Sequence, residues 1–107
     1  MISTHILDQM RGLPADGVEV SLDYHDGDEW TQLDKQKTND DGRISFNDEG
    51  KVGVYRMTFE VDPYFARFDQ EHFFVRTPII FNVKDNSRKY HVPLLLNPYG
   101  YSTYRGS

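Results

Sequence analysis

Cysteine is absent from the chain, and with it go a disulfide framework, a thiolate metal site and a cysteine nucleophile. Any hydrolytic chemistry therefore falls to hydroxyls, histidines, carboxylates or a bound water. Basic residues are in the minority, 12 against 17 acidic ones for a net charge of -5. They form no patch able to track a phosphate backbone, so nucleic acid is not an expected partner. Long apolar runs are missing too: the longest, Val92 to Leu96, contains a proline and is far too short to cross a bilayer, so no membrane is expected. The opening "MISTHILDQMRG" has no basic segment followed by an apolar one and reads as cytoplasmic, without a targeting signal. Linkers, repeats and low-complexity segments are lacking as well, and residues 1–107 are expected to form a single domain.

What the chain does have is period-two alternation. In "GVEVSLDYH", Val18, Val20, Leu22 and Tyr24 share one face while Glu19, Ser21 and Asp23 take the other, the pattern of a strand with one buried side. "KVGVYRMTFEV" sets Tyr55, Met57, Phe59 and Val61 opposite Val54, Arg56, Thr58 and Glu60, and "PIIFNVK" and "KYHVPLLL" are further strand candidates. Asp-Gly in "HDGDE" and "NDDGR" suits tight hairpin turns, and "KDNSRK" is a third polar connection. Only "DPYFARFDQ" resembles a helix, with Asp62 as its cap, Pro63 at its first position and Tyr64, Phe65 and Phe68 facing inward. About eight strands with one short helix argue for an all-β antiparallel sandwich.

Of the four histidines, none has a helical metal spacing, and no metal site is expected. His25, in the acidic "DYHDGDEW", reads as part of a solvated hairpin tip rather than a cation site, and His72 reads as a loop residue. His5 and His91 differ, because each sits in a strand-like run where Leu or Val serves packing better and a buried imidazole requires a hydrogen-bond partner. Arg43 and Arg105 read by default as solvated edge residues. Serine-hydrolase, phosphate-loop and dinucleotide motifs are missing. Composition and spacing thus end at a β-sandwich with two unexplained strand histidines.

"STHILDQMRGLPA" (Ser3 to Ala15), "TNDDGR" (Thr38 to Arg43), "DPYFARF" and "KYHVPLLLNPYGYSTYRGS" (Lys89 to Ser107) together resemble the 5-hydroxyisourate hydrolase family, the transthyretin-related enzymes of urate breakdown. The closing Tyr104-Arg105-Gly106-Ser107 is the most specific element of the likeness, setting the hydrolases apart from transthyretin itself. The resemblance implies a transthyretin-like sandwich and a homotetramer built as a dimer of dimers, with active sites at the dimer-dimer contact. It implies hydrolysis of 5-hydroxyisourate to 2-oxo-4-hydroxy-4-carboxy-5-ureidoimidazoline, a small-molecule substrate, and no cofactor. The implied catalytic residues are His5, Arg43 and His91, with Tyr104, Arg105 and Ser107 binding substrate. One departure stands out, since Phe73-Phe74-Val75-Arg76 replaces the family's usual Phe-Phe-Pro-Glu.

Opening a cyclic amide with water needs a base, a proton donor for the departing nitrogen and a donor for the developing oxyanion. Two histidines and an arginine meet that need, one histidine activating the water and the other donating or orienting. Arg43 presents planar donors that a lysine lacks. The alternative is a non-catalytic small-ligand carrier of the same fold, which has no use for His5, Arg43, His91 and the closing tetrapeptide together. An adhesive module would bring repeats, linkers or a secretion signal. The tyrosine-rich ending is expected to be held as an edge strand, not frayed as termini usually are.

Overall fold

The computed structural model describes residues 1–106. In chain order the elements are β1 (Ile2–Asp8), β2 (Leu13–Pro14), β3 (Glu19–His25), β4 (Trp30–Lys37), β5 (Arg43–Ser45), β6 (Gly53–Phe59), α1 (Val61–Ala66), β7 (Thr77–Val83), β8 (Tyr90–Asn97) and β9 (Gly100–Thr103). One sheet runs β2-β1-β8-β9, with β5 also on β1; the other runs β4-β3-β6-β7. The two make the transthyretin-like sandwich, antiparallel at every pairing but one: β1 and β8 lie parallel, Ile2 opposite Tyr90 through Asp8 opposite Leu96.

The alternation read from the sequence is the alternation of burial except at the end of β3, where a register shift after Leu22 leaves Asp23 buried and Tyr24 half-buried, the reverse of the faces expected. Val20, Leu22, Tyr55, Met57 and Phe59 are fully buried from one sheet, and Ile2, Ile6, Leu94 and Leu96 meet them from the other. Each such side chain contributes on the order of 1.5–3 kcal/mol by leaving water. Thr4 also points inward, where its hydroxyl donates to the Val92 carbonyl at 2.6 Å and ties β1 to β8. Ser3 and His5, of opposite parity, are therefore left on the outer face.

Two further local expectations change, and one strand has no apolar alternation to announce it. β4, "WTQLDKQK", lacks an apolar face because it is a sheet edge with mostly exposed or half-buried residues. "HDGDE" does close the β3-β4 hairpin, but "NDDGR" closes none: it carries the chain from β4 in one sheet to β5 in the other. Asp-Gly chemistry suits either use, since it answers to local backbone angles and not to the partner strand. The helix starts two residues earlier and ends sooner than its sequence pattern suggests, with Glu60 at its N-cap and no side-chain cap bond. Asp62 instead lies in the first turn and binds His72. The inward face is as expected: Tyr64 donates its hydroxyl to the fully buried Asp8 carboxylate at 2.7 Å, pinning α1 against β1. Among the described residues no helix is long and apolar enough to cross a membrane.

Candidate functional site

β1 is the middle of the site because it has neighbours on both sides. β5 brings Arg43 opposite His5, while β8 brings His91 opposite Ser3 and Pro93 opposite His5. Adjacent strands stand about 4.8 Å apart, so three pairings collect Arg43, His5 and His91 on one outer face.

The placement of Arg43 rests on the turn before it. Asn39 Oδ1 accepts from the backbone N–H of both Asp41 (3.0 Å) and Arg43 (2.9 Å), an Asx-type clasp. Gly42 then lies flat against β1, its carbonyl accepting from the Ile6 N–H at 2.8 Å. Its φ is +72°, and a Cβ there would fall 2.7 Å from the Ile6 carbonyl oxygen, so glycine is required by both conformation and space.

The tail closes the other side. β9 pairs with β8 from Gly100 opposite Asn97 to Thr103 opposite Leu94, and in the same register Gly106 meets His91, donating its N–H to the His91 carbonyl at 2.8 Å. Between these points the partner strand offers Pro93, which has no N–H to give. The ladder skips there, and the Thr103 hydroxyl caps the Pro93 carbonyl at 2.7 Å. Gly106 passes so close that a Cβ on it would lie 2.7 Å from His91 Cδ2.

The result is an open cleft of about 540 Å³ bounded by His5, Arg43, Lys89, His91, Tyr104 and Gly106. Among the described residues no carboxylate side chain lines it, although the chain as a whole is acidic. Burial pushes the His5 imidazole below its ordinary pKa, and the Arg43 charge pushes the same way; a ring hydrogen bond to the Asp41 backbone, with that residue's carboxylate, opposes in part. His91 is lowered by burial first, then by Arg43 and His5. Both rings are thus neutral at neutral pH and available as acceptors or as N–H donors. Ser3 Oγ lies 2.8 Å from His91 Nδ1.

Three of the residues implied by resemblance, His5, Arg43 and His91, meet in this cleft, and Tyr104 joins them. Arg105 is not part of its lining: its guanidinium stacks on the Tyr90 ring, 4.5 Å from the centroid. There it helps line a smaller apolar hollow of about 250 Å³ with Ile79, Phe81 and Val92. Ser107 lies outside the described residues. His25 sits at the hairpin tip, edge-on to Trp30 with its Nδ1 accepting from the Gly27 N–H. His72 is held by Gln70 and Asp62, away from the cleft. Among the described residues no three His, Asp or Glu side chains converge as metal ligands. In the departing loop, Phe74 packs edge-on against Tyr101, and Arg76 pairs with Glu60.

Sequence reasoning passed over Ser3, Asn39 and Lys89. The parity Ser3 shares with His5 and the Asn-Asp-Asp-Gly run were the available signals; what Ser3 touches depends on a pairing with a strand 88 residues away.

A family model described as HIUase/Transthyretin family matches residues 2–106. A Salmonella dublin protein named 5-hydroxyisourate hydrolase is 46% identical over 110 residues, covering 100% of this chain and 81% of the relative. The solved structure of Klebsiella pneumoniae 5-hydroxyisourate hydrolase is 41% identical, with a TM-score of 0.85 over 99% of this chain and 92% of that one. Sea bream transthyretin, solved in complex with thyroxine, is 27% identical with a TM-score of 0.91 over 98% and 93%. Backbone shape is therefore common ground, and on a match spanning nearly all its residues the chain belongs to the HIUase/Transthyretin family.

Proposed function

We propose that this chain hydrolyses 5-hydroxyisourate, acting as a cyclic amide hydrolase with His5, Arg43 and His91 as catalytic residues. The observation that carries the reading is the convergence of two imidazoles and a guanidinium in one cleft, with burial and the Arg43 charge lowering the pKa of both imidazoles. The names of the relatives point the same way. A carrier needs a pocket of suitable shape but no such trio of proton-handling groups.

The step runs as follows. His5 acts as the base, since one nitrogen of its neutral ring carries a free lone pair. That nitrogen takes a proton from water as the oxygen adds to the ring carbonyl carbon. The carbonyl oxygen becomes an oxyanion facing the Arg43 fork and the His91 N–H, donors already in place in a partly desolvated site. The adjacent C–N bond then breaks, the nitrogen leaves with the proton that His5 returns, and the new carboxylic acid ionises to solvent. Water's oxygen ends on carbon and one of its hydrogens on nitrogen, with no metal or covalent intermediate required.

The same proposal includes a homotetramer, a dimer of dimers that covers this outer sheet face, and substrate contacts from Tyr104 and Ser107. Tyr104 lines the cleft, whereas Arg105 in its position over Tyr90 acts on the tail's path. A cytoplasmic location fits a sandwich stabilised without disulfides. The test is to generate 5-hydroxyisourate with a urate-oxidising enzyme and follow its ultraviolet absorbance with and without this protein. Faster decay is expected; an unchanged rate returns the chain to the carrier reading.

A further inference from the structure

We propose that Ser3 is the positioning residue for His91, fixing by its hydroxyl both the orientation of the ring and the nitrogen that carries the proton. This rests on the hydrolase reading for its catalytic consequence, though not for its structural content. Ser3 stands directly opposite His91 in the parallel β1-β8 pair, and its Oγ is 2.8 Å from His91 Nδ1. Both side chains line the same cleft.

The direction of that hydrogen bond decides what His91 does. A hydroxyl beside a neutral imidazole places its proton on the ring nitrogen, because an sp² lone pair accepts better than a hydroxyl oxygen; Ser3 Oγ has no other hydrogen-bond partner among the described residues. With Nδ1 accepting, the ring proton resides on Nε2. His91 then presents an N–H donor, the complement of the acceptor role proposed above for His5. The two histidines of the cleft thus take opposite roles, the Ser3 hydroxyl setting that of His91.

Packing restricts the alternatives. Gly106 passes close beside His91 Cδ2, and the chain there is tied to the His91 carbonyl, so the ring has little freedom to turn away from Ser3. A threonine at position 3 keeps the hydroxyl, whereas alanine removes it and leaves Nδ1 open to water.

The test uses the full chain labelled with ¹⁵N and long-range ring correlations on His91. The wild type is expected to show the Nε2–H tautomer; Ser3→Ala should shift the population toward Nδ1–H, and Ser3→Thr should restore it. In kinetics, Ser3→Ala should lower kcat about tenfold with KM little changed, the size of one hydrogen bond felt in the transition state, and should displace the acid limb of the pH profile. A Ser3→Ala protein whose His91 spectrum and pH profile match the wild type overturns the proposal. If the wild type lacks hydrolase activity, the tautomer measurement still decides the Ser3-His91 relation, so the two failures are separable.

Discussion

His91 and His72 make the most useful comparison in the molecule. Each imidazole has hydrogen-bond partners and a charged neighbour, yet their proton affinities move in opposite directions. At His72 both ring nitrogens face acceptors, Nδ1 the Gln70 carbonyl at 2.8 Å and Nε2 the Asp62 carboxylate at 2.5 Å, and the Gln70 contact followed by the Asp62 one raises its pKa. Only an imidazolium can donate at both ends. At His91 the neighbours are a hydroxyl and the Arg43 cation, and burial with that charge lowers the pKa. The partners, more than the residue type, separate a ring whose protonated form is favoured from one whose neutral form is.

The sharpest way to break this contrast is by deletion. His5→Ala and His91→Ala should each lower kcat/KM by about a hundredfold or more, while His72→Ala should leave it within about twofold. Near-normal turnover in both cleft variants sinks the mechanism. Next in size is the tail. Removing Tyr104 to Ser107 should damage activity far more than thermal stability, and Gly106→Ala should do the same more mildly, since its methyl group displaces His91 or the strand. A truncation that keeps full activity would reduce the tail to packing.

A third test is pH. With both cleft histidines depressed below 6.5, kcat/KM should be flat at neutrality and fall only below that value, as the rings take protons and lose their lone pairs. Arg43→Met should move the acid limb upward, because the cation no longer opposes ring protonation; an unmoved limb would show that burial alone sets these values. The smallest effect concerns His72. Its folded-state pKa is raised above 6.5, so its stabilisation is fully present below 6.5 and lost as pH rises through the folded value. Asp62→Asn should therefore lower Tm near pH 6 by a few °C at most, as befits an exposed pair. At pH 9 the variant and the wild type should differ little.

Much of the fold was legible because burial and alternation are the same signal in β6 and in β3 as far as Leu22. β4 was silent, being a polar edge. The Asn39 to Arg43 turn was visible as a turn but not as a crossing between sheets, since its residues encode dihedral angles and not destinations. Spacing alone left His5 and His91 unexplained; the resemblance singled them out with Arg43, and strand register accounts for their meeting. Ser3 stayed hidden because a serine acquires meaning only from what lies across the strand. The position of Arg105 over Tyr90 was likewise beyond reach, because no local pattern distinguishes a stacked guanidinium from one facing a cleft.

The parallel seam between β1 and β8 also governs when function arises. The β3-β4 and β6-β7 pairs join strands near in sequence and need close only modest loops, whereas the seam joins positions 88 residues apart and bears the entropy of the longest closure. Ser3, His5 and His91 meet only once that closure is complete. A half-folded chain can therefore hold a formed sheet and still be chemically inert, and recovery of turnover during refolding becomes a clock for the last contact made, not for the first.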